Sequence, residues 1–251
     1  MIGLFLLLGG LMGHLLDLSL DRSYSDEPLL HPLHRCPACH SSRVEPLFLV
    51  PILGYLRYRG RCPACGERLP RRALFLPLGG AVLFSLAFLA IDGTGAALLS
   101  GFFATLFLAL AVTDLERRLI PNRIVYPALL LAAALAWAWP DTDNVISPSW
   151  QDRFVGGGTA FVLMVGLYLL GRGALGFGDV KMAALMGLVV GLGAAILGLL
   201  LATFTAAALV AVLMALRILH RRDYIPYGPF IALGAIIAIL WGGPIVDWYR
   251  G

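Results

Sequence analysis

MAALMGLVVGLGAAILGLLLATFTAAALVAVLMAL, residues 182–216, runs for 35 residues without a charged side chain. A helix needs about 20 mostly apolar residues to cross a hydrocarbon core roughly 30 Å thick. This stretch therefore holds two crossings if one begins slightly before it, and Gly191-Leu192-Gly193 is the natural break between them. Working outward, residues 73–91 and 93–113 are also free of charge. The whole chain of 251 residues is 59% hydrophobic and 14% charged, with a mean hydropathy of +0.85. Those values exclude an ordinary soluble domain. Hydropathy predicts an all-α, polytopic bundle with spans near 2–20, 73–91, 96–113, 123–139, 154–171, 180–192, 194–216 and 227–246. Gly93-Thr94-Gly95, Pro121, Pro140 and Pro226 punctuate the intervals. The first segment lacks a basic start and a small-residue cleavage site, so it reads as a retained helix. The predicted organisation is a first helix (1–20), a polar loop domain (21–72) and a seven-helix core (73–251).

Charge orients the bundle. With the N-terminus outside, the loops 21–72, 114–122, 172–181 and 217–226, with Arg123 at their border, hold seventeen of the 19 Lys and Arg residues. Only Arg153 and Arg250 fall on the other side. That is the positive-inside pattern of a membrane protein and not a nucleic-acid-binding patch.

Under this topology Asp114 closes the third span and Asp179 opens the sixth, both at the cytoplasmic face and 65 residues apart in sequence. Ionisable groups at membrane depth are costly and tend to mark function. Two carboxyl groups brought close can share one proton. One then takes a proton from water while the other polarises a carbonyl, which is the chemistry of an aspartic peptidase. Gly176 and Gly178 precede Asp179, and glycine there permits positive φ and close approach of a substrate backbone. Lys181 is a cation suited to support the pair or to anchor the helix at the interface. The structural alternative makes both aspartates helix-end residues, with Asp179 a good cap.

Cys36-Pro37-Ala38-Cys39 and Cys62-Pro63-Ala64-Cys65 form two C-x-x-C turns separated by 22 residues. Four thiolates so spaced suit tetrahedral zinc, and with no open position the metal is structural. A reducing cytoplasmic setting disfavours disulfides instead. His31, His34 and His40 lie near enough in sequence to replace a ligand, His40 above all, but each reads first as a solvated loop residue.

Three segments then carry a resemblance. Asp114-Leu115-Glu116-Arg117-Arg118-Leu119-Ile120-Pro121-Asn122 resembles the first active-site motif of the type IV prepilin peptidases. Gly176-Phe177-Gly178-Asp179-Val180-Lys181 resembles their Gly-x-Gly-Asp motif. Ile225 to Gly234, which begins Ile225-Pro226-Tyr227-Gly228-Pro229-Phe230, resembles their Pro-Phe-Gly-Pro stretch. The resemblance implies eight spans, Asp114 and Asp179 as the catalytic pair, and a bacterial inner-membrane location. It also implies removal of a basic leader from type IV prepilins or pseudopilins at the cytoplasmic face.

Family members with the cysteine loop then methylate the new N-terminus with S-adenosylmethionine. Several details here depart from the family pattern. Gly13-His14-Leu15-Leu16-Asp17 replaces a Gly-Ser-Phe-Leu-Asn stretch, and Pro77-Leu78-Gly79-Gly80 lacks a following acidic residue. These departures bear on methylation and leave the peptidase reading standing. His14 and Asp17 share one face of the first helix, either lining a groove or pairing with a neighbouring helix. The rival readings are a proton- or cation-coupled transporter using the same two aspartates, a zinc-bearing membrane scaffold, and a presenilin-like intramembrane protease.

Overall fold

The computed structural model describes residues 1–23, 52–139, 148–171, 175–218, 220 and 225–250. Within them the protein is helical: α1 (Ile2–Ser23), α2 (Leu53–Arg57), α3 (Arg72–Ala90), α4 (Thr94–Arg117), α5 (Asn122–Leu135), α6 (Trp150–Leu170), α7 (Phe177–Ala215) and α8 (Gly228–Arg250). The one strand-like feature among these residues is an antiparallel bridge between Arg61 and Arg68. Cys36, Cys39 and the three loop histidines, His31, His34 and His40, lie outside the described residues.

Six helices, α1, α3, α4, α6, α7 and α8, are long and apolar enough to cross a bilayer. The other apolar helix, α5, has 14 residues, so it rises only about 21 Å, short of the roughly 30 Å core. Its predicted extent, to residue 139, is not reached: the helix ends at Leu135 and the following residues form a turn.

The expected break in the longest apolar run is present. α7 counts 39 residues, but Gly191 has φ 77 and ψ 177, outside helical geometry. Glycine takes that backbone without a Cβ clash. Residues 192–215 then double back on 177–190. Gly198 packs so closely on Met186 that a methyl group there would lie 2.7 Å from its sulfur. In a straight helix the two positions would stand about 18 Å apart.

A broken helix strands backbone polar groups that lipid cannot satisfy. Here α6 supplies the partners. Asp152 Oδ2 accepts a hydrogen bond from the Leu192 amide at 3.2 Å. Arg153 donates to the Val189 carbonyl and, at 3.2 Å, to the Pro148 carbonyl. The Arg153 guanidinium also lies 4.2 Å from the Trp139 ring centre, and the residue is only 2% exposed. One of the two cations outside the positive-inside set thus has a structural task.

Tight packing between apolar helices rests on small residues. Gly9 and Gly13 of α1 lie against the Gly80 and Leu76 backbone of α3, Gly156 of α6 lies against Gly187 of α7, and Gly198 of α7 lies against Gly234 of α8. These contacts divide the helices into two groups. α4 packs on α3 and α1, whereas α7 packs on α6 and α5. The helix that packs extensively on both α4 and α7 is α8. The main core cluster runs through the middle of both groups, from Phe103 and Leu110 to Met182 and Ile231.

Candidate active site

Asp114 lies in the last turn of α4, which runs on to Arg117 and ends where Arg118 turns left-handed, with φ 53. Asp179 lies in the first turn of α7. Both are buried, at 7% and 3% exposure. Each carboxylate is held by one backbone amide from a helix start. Gly228 of α8 donates to Asp114 Oδ2 at 3.1 Å, and Gly176, which precedes α7, donates to Asp179 Oδ2 at 3.2 Å. The two side chains lie within electrostatic reach of one another. The capping alternative is therefore realised, since the Asp179 carboxylate accepts from the Gly176 amide at the start of its own helix. Holding one oxygen of each carboxylate leaves the second oxygen for water or substrate.

The positive φ that glycine permits is not used by the glycines of the second motif. Gly176 has φ −78, and neither it nor Gly178 is in the positive-φ region. A Cβ on Gly178 would meet Ile120 at 2.9 Å. The missing side chain at 178 thus lets the two motifs touch, whereas a Cβ on Gly176 would come 3.4 Å from Asp179 Oδ2 itself.

Lys181 is buried, at 8% exposure, and its ammonium bonds Asn122 Oδ1. It lies 5.0 Å from the Tyr126 ring centre and 5.5 Å from that of Phe177. Two aromatic faces and one amide thus hold this cation. It joins the start of α5 to α7, next to the aspartates.

Beside Asp114, Arg72 at the start of α3 pairs with Asp17 of α1 at 3.0 Å and with Glu116 of α4 at 2.5 Å. Of the two readings for Asp17, pairing with a neighbouring helix is the one found. Arg72 ties three helices together two residues beyond the catalytic candidate on α4.

The second cysteine turn is fully described. Cys62 N donates to Glu67 O at 2.8 Å, Gly66 N to Cys62 O at 2.9 Å and Leu69 N to Gly60 O at 2.8 Å. Gly66 has φ 74. A tight turn after two cysteines, closed by a left-handed glycine, is a backbone shape that can present both sulfurs to one ion. Among the described residues no group of three or more metal-binding side chains is assembled, because the other C-x-x-C pair lies beyond them.

Sequence reasoning passed over Gly228, Tyr227, Asn122 and the Arg72–Glu116 pair as site residues. Gly228 and Tyr227 lay in the third motif and Asn122 in the first, so a signal existed for them. Glu116 also lay in the first motif, but nothing in the sequence linked it to Arg72, 44 residues away.

Comparison with known proteins bears on the same segments. The model of the bacterial Peptidase A24 N-terminal domain matches residues 7–91, and that of the type IV leader peptidase family matches residues 101–212. A protein of Bacillus subtilis (strain 168) named prepilin leader peptidase/N-methyltransferase is 30% identical over 223 residues, covering 88% of this chain and 86% of its own. The chain belongs to the type IV leader peptidase family. Relatives of the same name include one from Aeromonas hydrophila, 31% identical over 89% of this chain and 78% of its own. Another, from Pseudomonas putida, is 29% identical over 85% and 74%. No solved structure matches. The leader-peptidase match contains both aspartates, and the N-terminal match contains all four cysteines. The transporter reading finds no support in this membership.

Proposed function

We propose that this member of the leader peptidase family is a membrane aspartic endopeptidase with Asp114 and Asp179 as its dyad. Its substrates are type IV prepilins or pseudopilins, cut behind a short basic leader. The observation that carries the reading is a pair of buried carboxylates on α4 and α7, within electrostatic reach of one another and each held through one oxygen by a helix-start amide. One carboxylate takes a proton from water, whose oxygen bonds to the scissile carbonyl carbon. The other, protonated, donates to the carbonyl oxygen. The tetrahedral intermediate then breaks its C–N bond as the amine nitrogen receives a proton, and no covalent enzyme intermediate forms. Gly176, Gly178 and Lys181 support the dyad by fixing the start of α7 against Ile120 and Asn122.

The charge count supports an N-terminus outside the cell and a dyad at the cytoplasmic rim of a bacterial inner membrane. There the basic leader stays in the aqueous phase. The names of the relatives favour a second activity, methylation of the new N-terminal amine from S-adenosylmethionine. Cys36, Cys39, Cys62 and Cys65 fit a structural zinc site of four thiolates.

The test is incubation of the purified protein with a synthetic prepilin, with and without S-adenosylmethionine, followed by mass spectrometry. Expected are a cut behind the leader and, with the methyl donor, a product about 14 Da heavier, the mass of one added CH₂. Asp114→Asn and Asp179→Asn should each lower kcat by about a thousandfold or more. Near-normal turnover in either variant would end the dyad reading. Sealed inside-out vesicles should cleave added substrate and right-side-out vesicles should not.

A further inference from the structure

The third motif, residues 225–234, has no role in the dyad chemistry above beyond one amide. Yet α8 is the helix that bridges the two groups of helices, and its first residues lie at the site. Gly228 N holds Asp114. Immediately before it, the Tyr227 hydroxyl lies 3.1 Å from Thr203 Oγ1, on the returning half of α7. Thr203 Oγ1 already donates its proton to the Leu199 carbonyl at 2.8 Å. The threonine oxygen is therefore the acceptor and the phenol the donor. With its proton so committed, the phenol oxygen keeps its lone pairs as acceptors. Tyr227 adjoins in the chain the Gly228 amide that holds Asp114 at 3.1 Å, and its side chain is half-buried, so the residue borders the dyad without being sealed from it.

We propose that Tyr227 is a further catalytic residue, its hydroxyl accepting a hydrogen bond from the attacking water and orienting that water between the two carboxylates. In the hydrolysis, one hydrogen of the water passes to a carboxylate as its oxygen bonds to the scissile carbon. The other hydrogen stays on that oxygen and points to the phenol. No proton leaves the tyrosine, and Thr203 acts as a positioning residue that fixes the direction of the phenol O–H. The stretch that this segment resembles carries Phe where Tyr227 stands, so the contribution expected of the hydroxyl is a moderate one.

This inference rests on the dyad reading, and the experiment separates the two. Tyr227→Phe, Thr203→Val and the double variant are purified and assayed on a synthetic prepilin beside Asp114→Asn and Asp179→Asn. Tyr227→Phe should lower kcat about tenfold, the worth of one hydrogen bond made in the transition state, with KM within about twofold. Thr203→Val should lower kcat less, and the double variant should be no worse than Tyr227→Phe alone. Thermal unfolding of all three should match the parent. If kcat is unchanged in Tyr227→Phe while the aspartate variants are dead, the tyrosine inference fails and the dyad stands. A fall in kcat that comes with lowered unfolding temperature and raised KM makes Tyr227 a packing residue and also overturns it. Activity surviving in the aspartate variants removes the dyad and the inference together.

Discussion

A methyl group at position 228 would sit 2.5 Å from Asp114 Oδ2 and 2.9 Å from its Cγ. Gly228 is thus required by the closeness of its own amide to the carboxylate, whatever its backbone angles. Gly228→Ala should push Asp114 aside by a few tenths of an ångström to an ångström. Displacements of that size cost on the order of a hundredfold in rate when the group is part of the chemistry. Cleavage assays should show kcat falling by about that factor, with the helical content and unfolding temperature near the parent's. Full activity in this variant would mean that the α8 contact does not hold the carboxylate where it reacts. The two aspartates were legible in the sequence because an acid at membrane depth stands out against apolar neighbours. Gly228 was legible only as part of the third motif and not as a holder of Asp114, because a backbone donor has no side-chain signature and its partner is 114 residues away. Gly178 was legible as a glycine but not in its purpose, since its neighbour Ile120 belongs to another helix connection.

At the scale of the element, the break at Gly191 was readable from Gly191-Leu192-Gly193 within a run too long for one crossing. What the sequence did not disclose is how the break is tolerated. Asp152 and Arg153 are adjacent on α6, and together they satisfy the Leu192 amide and the Val189 carbonyl. As sequence, Arg153 looked like a stray cation on the wrong side. Its removal leaves a buried carbonyl unsatisfied at the turn, which costs about 1–3 kcal/mol. Arg153→Met, which keeps much of the apolar stem, should therefore lower the unfolding temperature in detergent clearly. Because the turn at Gly191 lies at the far end of the half of α7 whose first turn holds Asp179, residual native protein should cleave at a rate close to the parent's per folded molecule. An unfolding temperature equal to the parent's would show that water or lipid headgroups take over the carbonyl. The short α5 is a second lesson at this scale. Its apolar run was long enough on paper, but Ala136 to Trp139 leave the helix, and Trp139 stacks on Phe103 at 5.8 Å and lies over Arg153. Tertiary contacts there outweigh helix continuation.

For the whole molecule, composition decided the membrane class, since it is a sum over many residues, and the charge count, another such sum, is what supports the proposed cytoplasmic side. The division into two helix groups bridged by α8 is a matter of pairwise packing, and hydropathy is blind to it. The polar loop domain meets the bundle at Arg72. The second cysteine turn leads within seven residues from Cys65 to that arginine, whose side chain grips Asp17 and Glu116. The loop is thereby tied to the membrane part through ion pairs that need no metal. Four thiolates around zinc would leave no coordination position open, so the metal would supply folding energy to the loop and nothing to the hydrolysis. Metal analysis of purified protein should find one zinc per chain, lost in Cys65→Ser. After strong chelation, limited proteolysis should cut first within the loop domain 21–72 while the fragment from residue 73 onward stays whole, and prepilin cleavage should persist. Zinc absent from protein with all four cysteines reduced would remove the metal site. Loss of cleavage in step with zinc, and restored with it, would instead mean that the loop reaches the dyad through Arg72 and Glu116.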